Sequence, residues 1–421
     1  MTDPRRVAQA DVLVAGRPAA TLTRTDAGVA FAYRPDYLDA PGPPVATTLP
    51  LTEEPVLTPA GAVPPFFAGL LPEGRRLTNL RRTVKTSADD DLSLLIAVGA
   101  DPVGDVQVFP AGATNAAESE VAPTSSPIVT GDWADLDFTD LLADSGIVDP
   151  VALAGVQDKV SGRMLTVPLA HAGRAQLLKL DPPEYPGVVR DEAFFLQVAR
   201  RLRQQVVDAE LVHDRHGRPG LLVRRFDRVA DGMDGMDGAD SVGLRRLAVE
   251  DAAQLLRRYP ADKYAVTTEQ VIDAVGAVCA ARPVAIRAVL QQVALAWLTG
   301  NGDLHAKNVS VVADRTGSSV EGGSGEWRVS PIYDIPSTLP YGDPDMALSV
   351  QGRTDSLSRK RYLALADRAG LPARAAERAL EDVLRATTGV ADEAIDALEL
   401  DPGRARTLRR VLTRRHEGLC A

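Results

Sequence analysis

The segment Gly300-Asn301-Gly302-Asp303-Leu304-His305-Ala306-Lys307-Asn308 sets an aspartate and an asparagine five positions apart, and Tyr333-Asp334 supplies a second aspartate downstream. Phosphoryl transfer of the protein-kinase type uses this set. One Asp accepts the substrate hydroxyl proton, an Asn holds Mg²⁺, and another Asp joins Mg²⁺ to the nucleotide phosphates. The gap from Asp303 to Asn308 equals that in the kinase pattern H-R-D-L-x-x-x-N. On this spacing Asp303 is the candidate base, and Asn308 and Asp334 are the candidate metal ligands. The local alternative has Asp303 capping the next turn and bonding His305. The apolar Ile332-Tyr333 leading into Asp334 favours the catalytic reading. Lys307 lies close enough to neutralise a transferring phosphoryl group and joins the catalytic set. His305 orients the loop and is grouped with the nucleotide-binding residues.

These groups need rigid supports. Ala285 to Leu298 is apolar almost all round, as a central helix must be, and Thr299-Gly300 terminates it. Lys179 is the only charge in the apolar strand Leu177-Leu178-Lys179-Leu180 and is the candidate to reach the nucleotide phosphates. A buried lysine is costly unless paired. Glu192, at the start of the amphipathic helix Arg190 to Leu202, is its expected partner, with Asp191 and Glu192 suiting the helix's positive end. Upstream, Ala152 to Gly162 is the candidate phosphate loop, in which Lys159 and the backbone about Gly155 would cradle phosphates. Glu250-Asp251 open a helix where the linker between lobes should contact adenine.

Around these points the first third reads as a meander of strands at 11–15, 20–24 and 29–33, followed by helices at 76–85 and 91–98 and a strand at 106–109. Residues 111–128 have linker composition. Paired strands follow at 163–167 and 176–180, then a hairpin of 210–213 with 221–226. Beyond Glu250 almost everything is helical, at 266–279, 285–299, 357–368, 372–387 and 401–416. The expected fold is α+β and two-lobed, like a protein kinase: an N-terminal subdomain (1–110), a linker (111–128), a sheet-containing N-lobe (129–255) and a helical C-lobe (256–421). Hydrophobic residues at 45% and charged residues at 25% are ordinary for a globular chain of 421 residues. A net charge of −10 argues against the protein gripping nucleic acid by itself. Two cysteines cannot build a disulfide framework or a Cys-based zinc site, and Cys279 reads as a buried small hydrophobe. With no signal-peptide run after Met1 and no apolar span, a cytoplasmic protein without membrane contact is expected. Asp231 to Asp240 lacks the ligand order of a calcium loop and reads as a hairpin tip. Arg404, Arg406, Arg409, Arg410, Arg414 and Arg415 read as a solvated helix face, with a DNA-backbone contact as the minority reading.

Taken together, these residues resemble the HipA family, the kinase toxins of bacterial HipA–HipB modules. The resemblance spans nearly the whole chain. Leu70-Leu71-Pro72-Glu73-Gly74 and Val103-Gly104-Asp105-Val106-Gln107 are similar to the family's N-terminal motifs. Ala154-Gly155-Val156-Gln157-Asp158-Lys159 is similar to its Gly-Ala-Gln-Glu-Lys loop, and Arg224-Arg225-Phe226-Asp227-Arg228 to its Glu-Arg-Phe-Asp-Arg strand. Glu250-Asp251 with Gln254 resembles its Gln-Glu-Asp helix start, and the segments at 302–308 and 333–334 match its catalytic and metal motifs. The resemblance implies ATP and Mg²⁺ as cofactors. Gly155, Val156, Gln157, Lys159, Lys179 and His305 would face the nucleotide, and the backbone around Glu250 and Ala252 would meet adenine. It further implies a HipB-like helix-turn-helix antitoxin as partner, operator DNA reached only through that antitoxin, and an aminoacyl-tRNA synthetase as substrate, whose phosphorylation halts translation and causes growth arrest and persistence.

One position departs. The serine that the best-known members phosphorylate on themselves aligns with Ala152, so self-inactivation there is not expected. Mass spectrometry after incubation with MgATP checks this, and a phosphate within residues 150–162 would contradict it. Two other functions share parts of the pattern: an idle ATP-binding co-repressor scaffold and a small-molecule phosphotransferase. Retention of Lys179, Asp303, Asn308 and Asp334 speaks against the first, and the N-terminal motifs speak against the second.

Overall fold

The computed structural model describes residues 3–87, 89–113, 127–144, 164–230, 244–315 and 325–420. The chain divides into two compact units, each discontinuous in sequence: Met1–Ser126 with Asp227–Asp262 and Val311–Trp327, and Pro127–Phe226 with Lys263–Ser310 and Arg328–Ala421. The boundaries expected from sequence follow chain order, whereas contact groups 227–262 and 311–327 with the N-terminal residues. Most of the expected linker at 111–128 lies outside the described residues, as do the candidate phosphate loop and the 231–240 segment.

In the first unit, β1 (Gln9–Val14), β2 (Arg17–Thr25), β3 (Gly28–Tyr33), β4 (Val56–Pro59) and β5 (Val106–Pro110) form an antiparallel sheet in the order β4-β3-β2-β1-β5. Val14 pairs with Arg17 across Ala15 and Gly16, whose φ values of 48° and 80° suit a two-residue hairpin turn on a right-twisted ribbon. The helix Asp91–Val98, capped by the Asp90 carboxylate accepting from Ser93 N, buries Leu92, Leu94, Leu95 and Ile96 beside β5. Two of the family-like motifs meet here. Asp227 Oδ2 accepts from Gly104 N at 2.9 Å and from Arg228 Nη1 at 2.7 Å, while Arg228 Nη2 donates to Asp101 Oδ1 and Pro102 O, each at 2.7 Å. Their role is to lock the turn at 101–105 against the strand that follows Asp227. Asp251 and Gln254 cap each other reciprocally, and Gln254 Nε2 donates to Phe66 O at 2.8 Å.

The second unit carries a mixed sheet in the order β6-β7-β8-β10-β9, built from β6 (Ile128–Val129), β7 (Leu165–His171), β8 (Arg174–Leu180), β9 (Ala209–His213) and β10 (Pro219–Arg224). Ala172 and Gly173, at φ 49° and 70°, turn β7 into β8. Alternation puts Leu178 and Leu180 into a core with Phe138, Val167 and Leu222. The helix Arg282–Thr299 is buried along most of its length, as its all-round apolar pattern requires. Helices Thr268–Val278, Arg359–Arg368, Ala373–Ala386 and Pro402–Cys420 surround it. The helix Val390–Ala397 was not legible in the sequence, since only Val390 and Ala394 of it are buried and no full apolar stripe marks it.

The arginine row near the C-terminus is not wholly a solvated face. Arg415 is buried, its guanidinium 3.7 Å from the centroid of Trp297, with Nη1 donating to Trp297 O at 2.9 Å and Nη2 donating to Pro344 O. Burial lowers its pKa to about 10. Arg404 and Arg409 pair with Asp401 and Asp392. Cys279 is buried, and burial pushes its thiol up to about 11, so it is an inert apolar filler. Among the described residues no helix is long and apolar enough to cross a membrane.

Candidate active site

Strand β8 and the helix Val188–Ala199 are joined by a connection that fixes their register. Asp181, just after β8, accepts from Gly187 N at 2.7 Å and Val189 N at 2.8 Å, so its carboxylate caps the start of the helix. With that end pinned, Lys179 Nζ reaches Glu192 Oε1 at 2.7 Å and Oε2 at 2.9 Å. The same ammonium donates to Asp334 Oδ1 at 2.8 Å. Lys179 therefore bridges the helix glutamate and the downstream aspartate within one unit.

One ammonium shared by two carboxylates leaves a net negative charge, and burial decides where that charge is least tolerated. The Glu192 side chain is fully buried and that of Asp334 is 21% exposed. Burial pushes Glu192 up to about 7 even against the attraction of Lys179. Burial would also raise Asp334, but the charge and hydrogen bond of Lys179 outweigh it and hold Asp334 below the ordinary carboxylate value. Burial opposes the charged form of Lys179 too, and the two carboxylates outweigh it, so its pKa is raised. Asp334 sits at φ 55°, in the left-handed region that Asp and Asn tolerate better than other side chains.

The loop after the central helix is held at every step. Gly300 ends that helix at φ 74°, and a Cβ there would stand 2.3 Å from Leu339 Cδ1. At Gly302 a Cβ would stand 2.5 Å from Asp345 O, so backbone close approach requires glycine there, as the left-handed φ favours it at Gly300. Asn301 Oδ1 accepts from Asp303 N at 2.9 Å, and Gly302 N donates to Thr338 Oγ1 at 2.9 Å. Asn308 Nδ2 donates to Asp303 O at 3.1 Å, which leaves Asn308 Oδ1 as the atom to offer a metal. Tyr333 Oη donates to Lys307 O at 2.7 Å, lies 2.6 Å from Ser310 Oγ, and its ring stacks on Phe226. The Asp334 segment is thereby tied to the Asp303 loop.

Two connections were not legible in the sequence. Asp191 lies in the first turn of its helix as expected, but it is also buried, and its Oδ1 accepts from Ser337 N at 2.5 Å. Thr338 N in turn donates to Gly300 O at 2.8 Å, so the helix carrying Glu192 is linked through 337–338 to the loop carrying Asp303. Tyr264 Oη donates to Asp303 Oδ1 at 2.9 Å from a turn with no periodic pattern to mark it. Glu250 and Ala252 lie in the other unit, where the buried Glu250 carboxylate accepts from Thr47 N at 2.8 Å and Thr47 Oγ1 at 2.7 Å. Gly155, Val156, Gln157 and Lys159 lie outside the described residues.

Burial raises the Asp191 pKa well above the carboxylate value, with the negative charge of Glu192 adding to it. A group whose pKa is higher in the folded chain contributes stability below its unfolded pKa and loses it as pH rises toward the folded one. Asp191→Asn mimics the protonated acid and removes that dependence. The variant is expected to gain stability relative to wild type between pH 5 and pH 8, read as a difference in Tm. A constant difference across that range would contradict it.

An α+β chain that clamps a strand lysine between a helix glutamate and a second aspartate, beside an Asp–Asn loop, is of the protein-kinase-like class. The HipA-like C-terminal domain family matches residues 151–391, and the HipA N-terminal domain family matches residues 10–109. The chain belongs to the HipA family. It is 30% identical over 383 residues to Y4dM of Sinorhizobium fredii, which carries the name of a kinase, covering 82% of this chain and 81% of that one. It is 26% identical over 363 residues to the serine/threonine-protein kinase toxin HipA of Shewanella oneidensis, covering 81% and 78%. Among solved structures it is similar to the complex of HipA, HipB and operator DNA from Shewanella oneidensis MR-1, with a TM-score of 0.74, 20% identity and coverage of 98% and 97%.

Proposed function

We propose that this chain is an ATP- and Mg²⁺-dependent serine/threonine protein kinase, the toxin of a toxin–antitoxin module. The observation that carries the reading is Lys179 held between Glu192 and Asp334, the pairing that aims a strand lysine at nucleotide phosphates. The metal pair fits Mg²⁺ by donor type. Asp334 would offer a carboxylate and Asn308 an amide oxygen, both hard oxygen donors of the kind Mg²⁺ prefers. When bound, the ion offsets the charge on the transferring phosphates.

Asp303 accepts the proton of the substrate hydroxyl as its oxygen bonds to the γ-phosphorus and the bond to the ADP oxygen breaks. Lys307, on the same loop, faces the transferred group, and His305 holds the loop's orientation. The nucleotide contacts extend to Gly155, Val156, Gln157 and Lys159 and to the backbone of Glu250 and Ala252. The HipA toxin relative and the HipA–HipB–DNA structure support a HipB-like helix-turn-helix antitoxin as partner, with DNA reached through it. The substrate is an aminoacyl-tRNA synthetase in the cytoplasm, and the consequence is translational arrest.

Induction of the wild type in cells, with and without a HipB-like antitoxin, tests this alongside phosphosite mapping on a panel of synthetases. Growth arrest relieved by the antitoxin, with phosphate on a Ser or Thr of one synthetase, is expected from the wild type and not from Asp303→Asn. Equal arrest by both forms would replace the kinase with an idle nucleotide-binding scaffold.

A further inference from the structure

The turn at Lys263-Tyr264 braces the Asp303 loop at three separate points. Lys263 O accepts from Ala306 N at 3.2 Å. The Tyr264 ring meets His305 edge to face, with centroids 5.1 Å apart and planes at 76°. Tyr264 Oη donates to Asp303 Oδ1 at 2.9 Å. The Lys263 ammonium lies over the Tyr264 ring, 5.3 Å from its centroid. Asp303 itself is 1% exposed, so this phenol substitutes for water on a carboxylate that the solvent scarcely reaches. All of these residues belong to one compact unit.

We infer that Tyr264 is the positioning residue for Asp303: its hydroxyl fixes the rotation of the carboxylate so that the proton-accepting oxygen keeps one direction. A carboxylate on a single-bonded stem turns freely unless a second group holds it, and misplacement of a catalytic group by about 1 Å costs on the order of 10²-fold in rate. Burial and packing of the ring need only a phenyl group. The hydroxyl has a separate task, and this separation makes the inference testable. It rests on Asp303 being the proton acceptor.

The test is a double-mutant cycle in the full chain, with Tyr264→Phe, Asp303→Asn and the combination. The acceptor is whichever synthetase of a purified panel the wild type phosphorylates, and a fluorescent ATP analogue reports nucleotide binding. Tyr264→Phe is expected to lower kcat about tenfold, the scale of one hydrogen bond to a charged group, and to leave KM for ATP and acceptor within about twofold. In the Asp303→Asn background the same change is expected to do nothing further, because the hydroxyl acts through the carboxylate. A Tyr264→Phe rate within twofold of wild type, beside a crippled Asp303→Asn, would overturn the inference alone. So would independent, multiplicative losses, or a faster Tyr264→Phe enzyme, which would make the hydroxyl a plug on the base. Full activity in Asp303→Asn, or no transfer by the wild type to any panel member, would bring down the proton-acceptor reading and this inference with it.

Discussion

Lys179→Met is expected to abolish phosphate transfer and to destabilise the second unit, the second effect growing as pH rises. The side chain is 10% exposed and its ammonium is the hydrogen-bonding partner of Glu192, which is fully buried. Removing one member of a buried pair costs about 3–5 kcal/mol when the other stays charged. Glu192 can escape part of that cost by taking up a proton, since burial already holds it at about 7 with Lys179 present. Without the lysine its pKa rises further. A raised folded pKa contributes stability that is lost as pH climbs from the unfolded value toward the folded one, so the variant should melt closer to wild type at pH 6 than at pH 8.5. Pairing the change with Glu192→Met should restore part of the Tm without restoring transfer, because the fully buried carboxylate is gone, although Asp334 still lacks its lysine and nothing reaches the phosphates. A double variant that recovers activity would show that the clamp is only structural.

Asp334→Asn separates charge from shape at the other end of the clamp. Asparagine tolerates φ 55° as aspartate does, and its amide oxygen still accepts from Lys179, so the fold should hold and Tm should move by only a few degrees. What disappears is the carboxylate of the proposed metal pair. Electrostatic help from a bound metal is worth several kcal/mol, and each 1.36 kcal/mol is a factor of ten. The turnover rate is therefore expected to fall on the order of 10²-fold or more, with the Mg²⁺ concentration for half-maximal rate shifted upward. Nucleotide binding without metal should persist through Lys179. A rate within threefold of wild type at ordinary Mg²⁺ would remove Asp334 from the metal site.

The sequence exposed the parts of the site that depend on spacing and left hidden those that depend on distant contact. Asp303 and Asn308 stood out because the loop they share follows a helix whose apolar pattern is unmistakable, and Asp334 because the apolar Ile332-Tyr333 leads into it. Lys179 stood out as a lone charge in an apolar strand, and Glu192 as an acid at the right place on the next helix. That Lys179 also holds Asp334 was invisible, because 155 positions separate them and no local pattern links them. Asp191 reads like any acid in the first turn of a helix. Only the packed structure turns it into the acceptor for Ser337 N, 146 residues away. Tyr264 lies in a short turn after Pro260, where no periodicity marks a role. Arg415 had the appearance of one more solvated arginine until its stacking on Trp297 placed it under the end of the central helix. The strands β1 to β3 and β8, and the helices at 91–98, 282–299 and 373–386, followed from alternation and apolar stripes. Short elements such as β4 and the helix Val390–Ala397 carry too few buried residues to leave a period.

The clamp of Lys179, Glu192 and Asp334 is proposed to serve ATP-driven phosphorylation of a protein hydroxyl. Its most direct test is transfer of label from γ-labelled ATP, in the presence of Mg²⁺, to purified aminoacyl-tRNA synthetases by the wild type and by Asp303→Asn. Label is expected on a Ser or Thr of one synthetase with the wild type, at least about 10²-fold less with Asp303→Asn, and none when Mg²⁺ is chelated. Equal labelling by both forms, or no labelling by the wild type under conditions where it binds nucleotide, would contradict it.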